Sequence, residues 1–209
     1  MLSTRAAVRC AEVTSLLRPS LIMADPSTND PAGLWKRRKL YELGWPGLAL
    51  CLERLREAVV NAGFRPTLVA GISRGGLVPA VHLSNVLDVD RFLVMAIARN
   101  LGNDTYCTKQ EPTMLWESPG VEVRGESVLL VDDVVGEGRT LAFAVRHLQE
   151  HGAGAVRTAV IARMERSSYR ADFEAITPDD WIVFPWEPVR AAAGTDGPEV
   201  VPWFAGTPA

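Results

Sequence analysis

The sequence predicts an α/β fold, an open, mainly parallel twisted sheet with helices on both faces. Three observations carry that expectation. Short runs are apolar at almost every position, they alternate along the chain with longer amphipathic patterns, and two of them run into glycine-containing loops. A strand apolar on both faces needs cover on each side, and helices between successive strands supply it. A chain of 209 residues, 47% hydrophobic and 22% charged, can bury one sizeable core of this kind.

Taken in order, "LALCLERLREAVVNAG" places Leu48, Cys51, Leu52, Leu55 and Val59 on one helical stripe, with Glu53, Arg54, Arg56 and Glu57 largely opposite and Gly63 as the stop. "TLVAGI" (67–72) reads as a buried strand. "LVPAVHLSNVL" (77–87) reads as a helix that tolerates Pro79 in its first turn, and "RFLVMAIA" (91–98) as another buried strand. The alternation continues through a strand at 127–133, a helix at 140–152, a strand at 156–164 and the short apolar "WIVF" at 181–184. Residues 99–120 are too long and polar for an ordinary connection, and are expected to form a flexible lid loop with Tyr106 and Lys109 available to substrate.

One domain is expected over residues 32–188, with 1–31 a loose N-terminal extension and 189–209 a C-terminal tail rich in Pro, Gly and Ala, whose Trp203 and Phe204 should dock on the domain. The net charge of −3 gives no broad cationic field for nucleic acid or anionic lipid. Cys10, Cys51 and Cys107 lack metal or disulfide spacing and suit a reducing compartment. No apolar run approaches the roughly 20 residues of a membrane span, and Arg18 and Pro19 break the N-terminal apolar stretch. A cytoplasmic protein with no membrane partner is expected.

The chemistry concentrates in "VLLVDDVVGEGRTL" (128–141), where an apolar strand ends in Asp132 and Asp133 and runs into a loop with Gly136 and Gly138. In open α/β sheets ligands bind beyond the carboxyl ends of the strands. Glycines let backbone N–H groups converge there, and a helix starting near Thr140 directs its positive end to the same spot, which favours a phosphate. Two carboxylates would repel that phosphate, but as pure acceptors they suit vicinal hydroxyls or Mg²⁺. Phosphate plus diol describes a ribose 5-phosphate. A dinucleotide fingerprint fails because Leu141 stands where its third glycine belongs, and no G-x-x-x-x-G-K-[ST] occurs.

These residues resemble the phosphoribosyl pyrophosphate (PRPP) motif of the type I phosphoribosyltransferases. "AGISRGGLVPA" (70–80) is similar to the pyrophosphate loop of that family, most closely its xanthine-guanine branch, and "DDWIVFPWEP" (179–188) to the hood of the same branch. The resemblance spans roughly residues 40–188 and implies the type I fold with a small hood. It implies Mg²⁺-dependent transfer of 5-phosphoribose from PRPP to a nucleobase nitrogen, with a purine as acceptor, and a homo-oligomer, as relatives are.

Carried over residue by residue, Asp132 and Asp133 would accept the ribose hydroxyls, with Asp133 and Glu187 near Mg²⁺. The 5-phosphate would lie on Val135, Gly136, Glu137, Gly138, Arg139 and Thr140. Pyrophosphate would lie on Ser73, Arg74, Gly75 and Gly76, where relatives carry a cis peptide. Trp181 would stack on the base, Ile182 would read it through its backbone, and Arg163 would stand in for a lysine that contacts the purine's exocyclic oxygen. Asp133, Arg74 and Glu137 are the catalytic candidates.

This chain departs from the pattern where purine-using relatives have Asp then Thr, for Gly136 and Glu137 stand there. The family's candidate general base is therefore missing. Either Glu137 replaces it, or the acceptor needs no base, or the acceptor is an unusual heterocycle of a specialised pathway. A different class stays open as well: some folds of this kind sense PRPP or a nucleotide without turnover and bind nucleic acid, and "WKRRKLYELGW" (35–45) supplies a basic cluster beside aromatics. Such a run is more often a solvated face, and the acidic balance argues against nucleic acid.

Overall fold

The computed structural model describes residues 38–100, 109–187 and 199–203. Helix α1 (Trp45–Asn61) carries Pro46 in its first turn, where no intrahelical N–H is required. It buries Leu48, Cys51, Leu52, Leu55 and Val59, the stripe predicted from spacing, and turns off at Gly63, whose φ is +66°. Helices α2 (Leu77–Val86) and α3 (Arg139–Glu150) follow the predicted segments closely.

The main sheet contains β2 (Leu68–Ser73), β3 (Phe92–Asn100), β4 (Lys109–Glu117), β5 (Ser127–Val135), β6 (Ala155–Arg163) and β7 (Phe173–Ile176), in the order β4-β3-β2-β5-β6-β7. Every pairing is parallel except β3 with β4. Alternate residues serve opposite faces. Val69, Leu129, Val131 and Ile161 pack with α1 and α2, whereas Leu68, Ala70, Val128 and Leu130 pack with Leu141, Ala144 and Leu148 of α3. Each buried Val, Leu or Ile side chain among them contributes roughly 1.5–3 kcal/mol, so the doubly covered sheet is the stabilising body of the molecule.

Three further strands form a second, smaller parallel sheet, β8-β1-β9, from β1 (Lys39–Glu42), β8 (Trp181–Val183) and β9 (Glu199–Pro202). Buried Asp180 organises it. One oxygen of its carboxylate accepts the N–H groups of Arg38 and Lys39 at 2.7 and 3.0 Å, the other that of Trp181 at 2.9 Å. The Tyr41 hydroxyl donates to Asp179, and burial with that acidic neighbour pushes its pKa up. Trp203 stands edge-on to Tyr41 with centroids 4.9 Å apart, the docking expected of it, while Phe204 lies outside the described residues.

Residues 109–117 correct the expectation of an irregular lid, because they form β4 at the sheet edge. Pro112 and the polar residues around it concealed the strand. Proline is tolerated at edges and irregularities, and the β3–β4 register shifts between Ala98 and Asn100, opposite the stretch that holds Pro112. Tyr106, Cys10 and Cys107, residues 1–31 and most of the basic cluster's first half lie outside the described residues. Among the described residues no helix is long and apolar enough to cross a membrane.

Candidate functional site

The sheet order sets the place of the site. From β2 the chain moves outward to β3 and β4, then returns to lay β5 against the other side of β2. The carboxyl ends of β2 and β5 therefore flank a topological switch point, the usual ligand crevice of an open α/β sheet. The two loops singled out from sequence, 73–76 after β2 and 136–138 after β5, sit side by side there.

The first loop is shaped by what lies against it. The Ser73–Arg74 peptide is cis, as the resemblance implied. Gly75 meets the acid pair so closely that a Cβ built on it would stand 1.6 Å from Asp133 Oδ2. A Cβ on Gly76 would come within 2.6 Å of the Val131 carbonyl and 2.7 Å of that of Ile72. Only glycines permit this approach, which puts the loop's backbone on the carboxylates.

Each carboxylate of the pair accepts a backbone N–H: Asp132 Oδ1 that of Asp133 at 3.0 Å, and Asp133 Oδ1 that of Val134 at 2.7 Å. Among the described residues neither forms an ion pair with a cationic side chain. Burial, and next the charge of Asp133, raises the Asp132 pKa well above the carboxylate range. Asp133 is pushed up to about 6, chiefly by burial, with the Val134 N–H pulling it down and the Glu187 charge adding to the rise. The negative charge concentrated here is a demand for a cation or for hydroxyl donors.

Two helix N-termini face the same crevice. Gly76 caps α2 and Gly138 caps α3; neither helix has a side-chain cap or an acidic residue in its first turn. Ser, Thr, Asp or Asn ordinarily fills that position. Leaving both ends to backbone amides suits two anionic groups, each able to satisfy the free N–H donors itself. Gly138 has φ +79°, which turns the chain sharply from β5 into α3.

The donor set fits Mg²⁺ on chemical grounds. Mg²⁺ takes hard oxygen ligands, commonly one or two carboxylates together with substrate phosphates and water. Asp133 supplies a carboxylate, and Glu187 lies near enough for its charge to act on Asp133. Among the described residues no three His, Cys, Asp or Glu side chains cluster as a metal site.

Glu137 lies beside Arg139, with Oε2 3.5 Å from Nε, and Arg139 also reaches Glu111 of β4 at 2.5 Å. Its carboxylate is thus oriented on the loop by a neighbour. Trp181 and Ile182 lie on β8, paired with Leu40 and Tyr41, and Ile182 is buried. Glu187 closes the turn after β8, accepting the Phe184 N–H at 3.1 Å and donating its own to the Phe184 carbonyl at 2.9 Å.

The backbone of Arg163 pairs with Val135 at the start of the second loop, but its side chain bonds elsewhere than to Glu137, Trp181, Ile182 or Glu187. It is buried at the end of β6, where Nε binds Glu174 Oε2 at 2.7 Å, Nη1 donates to the carbonyls of Met164 and Glu165 at 2.9 and 3.3 Å, and Nη2 lies 3.4 Å from Thr177 Oγ1. Sequence reasoning missed Ser167 and Tyr169, which lie against the second loop, and Glu174, which pairs with Arg163. One signal was present: an arginine in an otherwise apolar strand needs a carboxylate partner nearby.

A model of the phosphoribosyl transferase domain matches residues 45–192. The chain is 31% identical over 121 residues to a xanthine-guanine phosphoribosyltransferase of Cereibacter sphaeroides, covering 57% of this chain and 68% of that one. It is 27% identical over 150 residues to the same-named protein of Nitratidesulfovibrio vulgaris, covering 72% and 86%. Among solved structures, a purine phosphoribosyltransferase from Pyrococcus horikoshii superposes with a TM-score of 0.60 at 27% identity, over 71% of this chain and 94% of that one.

Proposed function

This chain belongs to the phosphoribosyl transferase domain family, and from that premise we propose that it transfers 5-phosphoribose from PRPP to a nucleobase nitrogen and releases pyrophosphate. The acceptor is a purine of the xanthine, guanine or hypoxanthine kind, a reading supported by relatives named for xanthine and guanine. The reaction takes place in the cytoplasm, in a homo-oligomer. One observation carries the reading. The carboxylate of Asp133 lies on Gly75, so a diol against the acid pair has its anomeric carbon between two helix N-termini, with the 5-phosphate toward α3 and pyrophosphate toward α2.

The residues divide the task as follows. Asp132 and Asp133 accept the ribose hydroxyls and fix the ring. Backbone amides from Val135 to Thr140, with the Thr140 hydroxyl, hold the 5-phosphate. Ser73, Arg74, Gly75 and Gly76 hold pyrophosphate, and Arg74 with the loop amides offsets the charge that grows as it leaves. Trp181 covers the base and Ile182 reads its edge through the backbone. Asp133 and Glu187 would hold Mg²⁺, which when bound would supply neutralisation of the charge on the pyrophosphate. Orientation contributes most of the remainder, since no covalent intermediate with the protein is required.

Glu137 acts as the base that takes the proton from the attacking nitrogen, with Arg139 holding its carboxylate in place. The test is to supply Mg²⁺, PRPP and a panel of purines, pyrimidines and other heterocycles, following pyrophosphate release and nucleotide mass. Nucleotide formed from a purine is the expected result. Product only from an unusual heterocycle moves the chain to a specialised pathway, and no turnover with any acceptor contradicts the proposal.

A further inference from the structure

The connection from β6 to β7, residues 164–172, has no part in the chemistry above, yet it packs directly behind the loop at 136–138. We propose that Ser167 is a positioning residue for the 5-phosphate loop. It holds the Gly136 carbonyl back so that the loop's N–H groups face the ligand, and Tyr169 and the Arg163–Glu174 pair fix the connection that carries it. This rests on residues 135–140 being the phosphate cradle.

The argument begins with backbone accounting. A loop that turns its amides toward an anion turns carbonyls away from it, and each needs a donor on the far side. Ser167 is buried, 4% exposed, and its Oγ lies 2.5 Å from the Gly136 carbonyl oxygen and 3.2 Å from that of Tyr169. A hydroxyl has one proton, and the shorter contact takes it. The Tyr169 N–H donates into the same Oγ at 3.2 Å, which polarises the hydroxyl and strengthens its bond to Gly136. Beside it, the Tyr169 side chain closes on Gly138: a Cβ there would stand 2.3 Å from Tyr169 Cβ. Both glycines of the loop are thus held from behind by residues two apart in sequence.

The connection is itself anchored at each end. At its start the Met164 N–H donates to the Val135 carbonyl at 3.0 Å, tying it to the last residue of β5, and the Ser167 N–H donates to the Met164 carbonyl at 2.8 Å. Glu174 then clasps entrance and exit together. One of its oxygens binds Arg163 Nε at 2.7 Å and the other accepts the Ala171 N–H at 3.0 Å. Arg163 extends the clasp through its bonds to the carbonyls of Met164 and Glu165. A buried guanidinium used in this way positions the loop at one remove from the ligand.

The test separates the two halves of the substrate. Ribose 5-phosphate and Mg-pyrophosphate are titrated in turn into the full-length wild type, Ser167→Ala and Ser167→Cys. Ser167→Ala is expected to weaken ribose 5-phosphate about tenfold, the loss of one buried hydrogen bond, and to leave Mg-pyrophosphate unchanged. Ser167→Cys keeps the volume with a poorer donor, so it should fall between, and it carries the comparison alone if the alanine variant does not fold. Equal weakening of both ligands marks a merely structural serine and overturns the proposal, as does unaltered binding of both. A wild type that binds Mg-pyrophosphate but not ribose 5-phosphate removes the cradle reading itself, whereas normal wild-type binding with unaffected variants removes only the brace.

Discussion

The two ends of strand β5 treat carboxylates in opposite ways. At the amino end, Glu126 stands just before β5 and receives the Thr67 hydroxyl at 2.5 Å and the Arg91 guanidinium, and these donors, Thr67 foremost, hold its pKa below the usual range. At the carboxyl end of the same strand, Asp132 and Asp133 have only backbone N–H donors among the described residues; burial pushes both up, with the charge of Asp133 adding to the rise at Asp132 and that of Glu187 to the rise at Asp133. One strand thus carries a charge compensated by the chain and a pair whose compensation must come from outside. Perturbed carboxylates in a crevice are a recurring feature of ligand sites.

The largest expected effect breaks this contrast at Asp133. Asp133→Asn keeps the shape and the Val134 contact but removes the charge, so kcat/KM should fall about 100- to 1000-fold. The melting midpoint at pH 7 should nevertheless rise by about 2–6 °C. The sign follows from the direction of the shift. A carboxyl at about 6 in the folded protein and near 4 in the unfolded chain makes no difference to stability below pH 4. It costs stability progressively from pH 4 to 6, and in full above that. The variant's gain should therefore be present at pH 7 and fade toward pH 4 in thermal melts. For the same reason, wild-type activity should decline as pH falls through about 6.

Next comes Glu137, a carboxylate at the carboxyl end with a cationic neighbour. If it takes the proton from the base, Glu137→Gln lowers kcat about a hundredfold with PRPP affinity nearly unchanged. An unaltered kcat removes that role. Arg163 sharpens the comparison from the other side, because its charge is compensated within the carboxyl end itself. Arg163→Met should cost about 2–4 kcal/mol, since Glu174 would keep a largely buried charge without its partner, and chemical denaturation measures it. The smallest effect belongs to the amino end. Glu126→Gln should lower the melting midpoint slightly and leave kcat/KM at the wild-type value.

Legibility in the sequence followed the same division. β2, β3, β5 and β6 were plain because strands buried on both faces are continuously apolar, and the α1 stripe was readable from its spacing. β1, β4, β7 and β9 were not, because short or half-exposed edge strands take their definition from partners far along the chain. Leu40, for example, pairs with both Trp181 and Val200. The acid pair and both loops were legible, as their chemistry lies in contiguous residues. Ser167 behind Gly136 and Glu174 beside Arg163 were hidden, since those contacts depend on how the β6–β7 connection folds back.

The central claim is that a phosphorylated sugar and its divalent cation supply what Asp132 and Asp133 lack. Calorimetric titration of PRPP with Mg²⁺ into wild type and into Asp132→Asn/Asp133→Asn tests it directly. A single saturable site in the wild type, weakened at least about a hundredfold in the double variant, is the predicted result. Equal affinity in the two proteins, or no binding heat in the wild type, would contradict it.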